Sequence, residues 1–236
     1  AERVHLMAAS DQAARPTRLR RRDVTVQHRS HHCDDLAFRS LGVPTAPLSH
    51  AWVDAVRLLG HEQNWRPWES EPVFARGRFT SPTKRQFLAA VQLGDVLIRR
   101  DRPLTSIDEL GACTDATKGP GMRLARAALA RLRPRTDSLM ESWLRLVVWD
   151  AGFPEPRVNH EIRFASGRRY LDLSWPESKI ALEYHGRQHF EDADQAYQDF
   201  GRRAWLHDMG WTLVEAVHAD LLDPSALLGR LGALRW

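Results

Sequence analysis

The sequence has only two cysteines in 236 residues, Cys33 and Cys113, far apart and in no Cys-x-x-Cys pair. That spacing excludes a disulfide framework and a zinc ribbon, and it points to a reducing cytoplasm. No apolar run approaches the roughly 18 residues a membrane span requires. The N-terminus also lacks the charged, apolar and small-residue succession of a signal peptide. A cytoplasmic protein without a membrane partner is therefore expected. The chain starts at Ala1 rather than methionine and enters a strand-like segment at once, so an upstream portion is expected too. Lysine is nearly missing: Lys84, Lys118 and Lys179 are the three among 34 basic residues, which outnumber 30 acidic ones to give a net charge of +4. Arginine suits bidentate contact with phosphate. A GC-rich genome produces the same bias, so the total charge assigns no partner.

What is present is enough apolar residue, 43% of the chain, to build a real core. Three regions are expected. Residues 1–47 form a short strand-containing region, with β-like stretches at Arg3–Met7 and Asp23–His28. Between these lies Arg15-Pro-Thr-Arg-Leu-Arg-Arg-Arg22, which reads equally as a phosphate-binding arm and as a solvated loop. His31-His32-Cys33-Asp34-Asp35 gathers metal-capable side chains, but adjacent residues seldom converge on one ion, and a loop is expected. Residues 48–135 are mainly helical. Ser49 caps a helix that Gly60 stops, a second helix runs from Pro82 to Ile98, and an irregular connection with Trp65 and Trp68 joins them. Ser106-Ile-Asp-Glu109 is a capping box. Gly119-Pro-Gly121 precedes an arginine-studded helix on which Arg123 and Arg126 share a face, with Arg131, Arg133 and Arg135 close behind.

Residues 136–236 carry the chemistry, in the order helix, three antiparallel strands, helix, strand, helix. The first helix, Ser138–Asp150, presents Leu139, Trp143, Leu146 and Val147 and closes at Gly152. Strands follow at His160–Phe164, Arg169–Trp175 and Lys179–His185. A helix of about Asp192–Met209, a covered strand at Trp211–Val217 and a last helix from Asp223-Pro224 complete the set. Strand alternation sends Leu171, Leu173 and Trp175 to one face and Tyr170, Asp172 and Ser174 to the other; Ala181, Glu183 and His185 likewise share a face. If Pro176–Lys179 is a four-residue hairpin loop, Trp175 pairs with Ile180, and Asp172 falls opposite Glu183 with β-carbons about 5 Å apart. Facing carboxylates repel unless a cation compensates, and hard oxygen donors suit Mg²⁺ or Mn²⁺ rather than zinc. Two solvated carboxylates paired with Arg168 or Arg169 are the alternative.

Asp172, ten intervening residues and Glu183-Tyr184-His185 resemble the D-x(n)-E-x-K signature of PD-(D/E)XK nucleases. More closely, Ser138-Leu-Met-Glu-Ser-Trp-Leu-Arg145, Ala151-Gly-Phe-Pro154, Tyr170-Leu-Asp-Leu-Ser-Trp-Pro176, Leu182-Glu-Tyr-His-Gly186 with His189, and Asp199-Phe-Gly-Arg202 with Gly210-Trp211 look like very-short-patch-repair-like endonucleases, the group called domain of unknown function 559. The likeness covers about 100 residues, with a weaker one upstream at Gly42-Val-Pro through Asp54 and at Asp95 through Leu110. It implies an α/β (α+β) PD-(D/E)XK core that binds Mg²⁺ or Mn²⁺ through Asp172, Glu183 and the backbone carbonyl of Tyr184. It also implies that Glu141 reaches the site from the first helix and that His189 lies near the scissile phosphate. Ser138 and Glu141 form an S-x-x-E capping box as well, a purely local role that can coexist with the first. His185 occupies the place of the signature lysine, where relatives often have aspartate, and its charge near neutral pH is conditional.

The expected function is therefore metal-dependent endonuclease activity on DNA, with a DNA-repair connection implied by the resemblance. Glu141, Asp172, Glu183, His185 and His189 are the catalytic candidates, and Arg123, Arg126, Arg187 and Arg202 the nucleic-acid contacts. The alternative that His185 keeps open is a nuclease-derived module that binds nucleic acid or protein without cutting, in a toxin-antitoxin or regulatory role.

Overall fold

The computed structural model describes residues 4–8, 24–28, 39–40, 43–44, 46–60, 82–164, 167–186 and 203–236. The arginine run Arg15–Arg22, the His31–Asp35 cluster, Trp65 and Trp68, most of the Asp192–Met209 helix, and the candidates Arg187, His189 and Arg202 lie outside them. The chain divides into two compact units, Ala1–Ala51 and Trp52–Trp236, and the boundary falls within the first helix. In the first unit β1 (Val4–Ala8) and β2 (Val24–His28) form a parallel pair, and β3 (Arg39–Ser40) and β4 (Val43–Pro44) an antiparallel one. The helix α1 spans Leu48–Leu59.

The second unit is a mixed α/β assembly. Helices α2 (Pro82–Leu97), α3 (Ile107–Ala116), α4 (Met122–Leu129) and α5 (Leu139–Asp150) precede β5 (Arg157–Phe164), β6 (Gly167–Trp175) and β7 (Ile180–His185). Helical residues 203–208 (α6), β8 (Thr212–Val217), α7 (His218–Leu222) and α8 (Ser225–Gly232) follow. The sheet order is β5-β6-β7-β8, antiparallel except for the parallel β7–β8 pair. That parallel pair requires a crossover, and the described part of α6 lies on it. Among the described residues no helix is long and apolar enough to cross a membrane.

Local chemistry explains the element ends. The Ser106 side chain accepts the Glu109 N–H while the Glu109 carboxylate accepts the Ser106 N–H, closing the box read from the sequence. Gly121 leads into α4 with φ 83, and a β-carbon there would sit 2.7 Å from Arg57 Cα. Glycine is needed twice over, for the left-handed backbone and for the close approach of α1. Gly121→Ala is expected to cost about 2 kcal/mol or more, from roughly 1–2 for the left-handed conformation plus overpacking. An unchanged urea midpoint would refute this.

The main core brings Trp52, Val56 and Leu59 of α1, Leu88 and Val91 of α2, and Trp143, Leu144 and Val147 of α5 onto one face of the sheet, at Leu173, Trp175, Ile180, Leu182 and Val214. A smaller cluster on the other face joins Ile162, Leu171 and Ala181 to Leu206 of α6 and to Trp211. Here the structure corrects strict alternation in β6, because Leu171 packs on the opposite face from Leu173 and Trp175. The cause lies in the facing pair Asn159 and Asp172. Asn159 has φ 44 in mid-strand, and the ladder steps from Val158↔Leu173 to His160↔Leu171 over that pair. Both strands roll there, so His160 also changes side and its ring comes 6.1 Å from that of Trp211.

Candidate active site

The β6–β7 hairpin sets the site's geometry. Pro176–Lys179 is a four-residue loop, Lys179 takes φ 51, and Trp175 pairs with Ile180, the register counted from the sequence. Leu173↔Leu182 is the last ladder pair, one residue short of Asp172 and Glu183. The ladder stops there because the Asp172 carboxylate itself accepts the Tyr184 N–H at 2.9 Å. That bond fixes Asp172 Oδ2 onto the backbone of the residue after Glu183. Asp172 is half-buried, and Glu183 is only 3% exposed.

Glu141 joins them from α5, and it does more than cap. Ser138 does accept the Glu141 N–H at 3.1 Å, but the Glu141 carboxylate does not return to the Ser138 N–H as a closed capping box would require. Its Oε2 instead accepts the Asp137 N–H at 3.0 Å and the Asn159 side-chain amide at 2.9 Å. Burial, followed by the charge of Asp172, pushes the Glu141 carboxyl up to about 7 despite those two donors. Both donors use the same oxygen, Oε2.

A consequence for stability follows. A carboxyl whose folded pKa lies above its ordinary 4.5 binds its proton more tightly in the folded state, so stability is full below 4.5 and falls as pH rises toward 7. The loss in metal-free protein is on the order of 3 kcal/mol. Thermal unfolding in chelator from pH 4.5 to 8 should show this decline, and Glu141→Gln should flatten it. An equally steep decline in the variant would assign it to other groups.

The neighbouring strand adds what the sequence reading missed. Glu215 of β8 is the parallel partner of Glu183, so carboxylates stand side by side on β7 and β8. Glu215 is engaged from two sides, by Arg203 Nη2 at 2.5 Å and by His185 Nε2 at 3.2 Å, the latter an ion-pair distance without aligned hydrogen-bond geometry. The histidine in the signature-lysine position is thus held toward β8. Asn159 was missed as well, although an asparagine inside Arg157–Phe164 is a signal, since asparagine is rare in strands and tolerates a left-handed backbone.

The arginine candidates separate. Arg123 and Arg126 are exposed on α4, away from any contact with the carboxylates shown here, and Arg126 sits in the last turn, where it complements the helix dipole. Arg131 and Arg133 fold back over the Trp149 ring, 3.7 and 5.2 Å from its centre. Among the described residues, no group of three or more His, Cys, Asp or Glu side chains is gathered for a metal ion.

No family model matches the chain. It is similar to two uncharacterized proteins of Mycobacterium tuberculosis, one from strain CDC 1551 / Oshkosh and one from strain ATCC 25618 / H37Rv. Each is 33% identical over 113 residues, which is 47% of this chain and 42% of the relative, so the chain spans less than half the length of the proteins it matches. No solved structure matches.

Proposed function

We propose that this protein is a metal-dependent endonuclease of the PD-(D/E)XK, very-short-patch-repair-like kind, hydrolysing phosphodiester bonds in DNA. The observation that carries the reading is the hydrogen bond from Tyr184 N–H to Asp172, which brings that carboxylate to the residue after Glu183, with Glu141 close enough to feel the charge of Asp172. Carboxylates drawn close enough to feel each other's charge are a suitable place for a divalent cation. The donor set fits: Asp172, Glu183 and the Tyr184 carbonyl are hard oxygens, and Mg²⁺ is commonly held by one or two carboxylates with several waters, so a full protein cage is not needed. Mn²⁺ would fit the same oxygens. When bound, such an ion supplies an activated water and charge neutralisation at the phosphate. The protein's own residues hold Asp172 in place through Tyr184 N–H, orient Glu141 through Asn159, and keep His185 beside Glu215. His189 remains the candidate for the scissile phosphate by resemblance alone, with Arg187 and Arg202 as backbone contacts.

The second reading, a module that binds nucleic acid or protein without cutting, is favoured by the engagement of His185 with Glu215, because a side chain drawn to β8 is a poor stand-in for a free lysine. Incubation with supercoiled plasmid in Mg²⁺, Mn²⁺ or chelator decides between them. Metal-dependent nicking supports the enzyme; no nicking by the wild type under any metal supports the module.

A further inference from the structure

A second cluster lies beside the carboxylates, on residues the sequence reading gave no joint role. Arg100, Arg135 and Arg168 converge on the Tyr170 ring, their guanidinium carbons 4.0, 5.9 and 5.9 Å from its centre. They come from the end of α2, from the connection before α5 and from β6, so tertiary folding alone assembles them. Arg163 of β5 adds a fourth cation, 83% exposed, and Arg168 is 68% exposed. Two carboxylates accompany them: Asp137 binds Arg100 through Nε at 2.8 Å, and Glu161 accepts the Tyr170 hydroxyl at 3.1 Å and Arg163 at 2.6 Å. Positive charge remains in excess, and like charges drawn together cost energy that a bound anion recovers.

The backbone also holds one of these arginines in an uncommon conformation. Arg135 has φ 76, a left-handed state costing a non-glycine residue about 1 kcal/mol or more. It is clamped there because the Asn159 side-chain amide donates to the Arg135 carbonyl at 2.7 Å and also to Glu141 at 2.9 Å. One buried asparagine thus ties the arginine group to the carboxylate site. Tyr170 is two residues from Asp172 along β6, roughly 7 Å, a distance on the scale of one or two nucleotides of a DNA strand.

We propose that Arg100, Arg135 and Arg168, braced by Tyr170, form a seat for the phosphodiester backbone of duplex DNA next to the Asp172–Glu183 pair. The inference rests on the nuclease reading above and names how that site holds its substrate. Duplex is favoured over single strand because the Arg100 guanidinium already lies over the Tyr170 ring at 4.0 Å and competes with a stacked base for it. Phosphate contact carries no base information, so binding through this seat is indifferent to sequence.

The test is fluorescence anisotropy with a labelled duplex, in chelator and over a series of salt concentrations. The variant is Arg135→Gly with Arg168→Ala, since glycine removes the cation without straining the left-handed backbone. Lys118→Ala with Arg235→Ala, two exposed cations outside the proposed site, is the comparison, and thermal melting checks that each is folded. The first pair should weaken binding about tenfold or more and reduce the slope of log K against log salt by about two, while the second leaves both near wild type. Wild-type affinity and slope in the first pair would overturn the seat, and a single strand bound as tightly as the duplex would overturn the duplex assignment. Asp172→Asn separates this from the nuclease reading: nicking lost with DNA binding intact supports that reading whichever way the arginine pair behaves.

Discussion

Asp172→Asn should abolish metal-dependent nicking, by about a thousandfold or more, while leaving the protein at least as stable as the wild type. The activity estimate follows from removing a charged metal ligand, since a bound ion contributes several kcal/mol to stabilising charge in the transition state, and each 1.4 kcal/mol is tenfold. The stability estimate follows from the geometry. Asparagine retains an oxygen to accept the Tyr184 N–H, so the backbone contact at 2.9 Å survives. The substitution also removes the charge that helps to raise the Glu141 carboxyl to about 7, although burial, the larger cause, remains. Metal-free Asp172→Asn should therefore melt no lower than wild type, and higher above pH 7, where an ionised Glu141 no longer faces the charge of Asp172. Loss of activity with gained stability marks a site kept for function at a cost in folding energy. Nicking that continues at the wild-type rate would remove Asp172 from the reaction. A large fall in melting temperature would make it a structural residue instead.

Replacing Asp95 or Arg145 singly should produce the largest loss of stability in the molecule. The two side chains form a salt bridge of 2.6 Å with both partners wholly buried. Asp95 also accepts the Ser142 hydroxyl at 2.8 Å and the Arg133 N–H at 2.8 Å, while Arg145 donates to the Arg131 carbonyl at 2.8 Å. This network fastens α2 and the chain after α4 to α5, the helix that carries Glu141. Removing one partner strands a buried charge, for which about 3–5 kcal/mol is expected, against a total domain stability of roughly 5–15. For a unit of this size each kcal/mol moves the melting point by about 2–4 °C, so Asp95→Ala and Arg145→Met should each lower it by roughly 10 °C or more. The pair itself is worth far less than either loss, because water must be stripped from both charges to form it. Asp95→Leu combined with Arg145→Met should accordingly recover most of the stability. Strictly additive losses in the double variant would mean that the two residues act independently.

The sequence by itself determined the local pieces. Ser106 and Glu109 close a box within one turn, Gly121 stands where only a residue without a β-carbon fits, and Pro176–Lys179 is long enough for one hairpin and sets its register. The count holds as far as Leu173 opposite Leu182, and the hydrogen bond from Tyr184 N–H then decides where the Asp172 carboxylate goes. Tertiary structure decided the rest. Alternation sent Leu171 to the wrong face because Asn159, a partner thirteen residues earlier on another strand, takes a left-handed backbone and rolls both strands. Glu141 read as closing a capping box as well as reaching the site, because Asn159, whose amide engages the carboxylate, lies beyond its own helix. Arg145 in a helix and Asp95 fifty residues earlier carry no mark of their pairing, and neither do the arginines around Tyr170. Such contacts depend on how distant elements pack, a sum over the whole core that no local pattern contains.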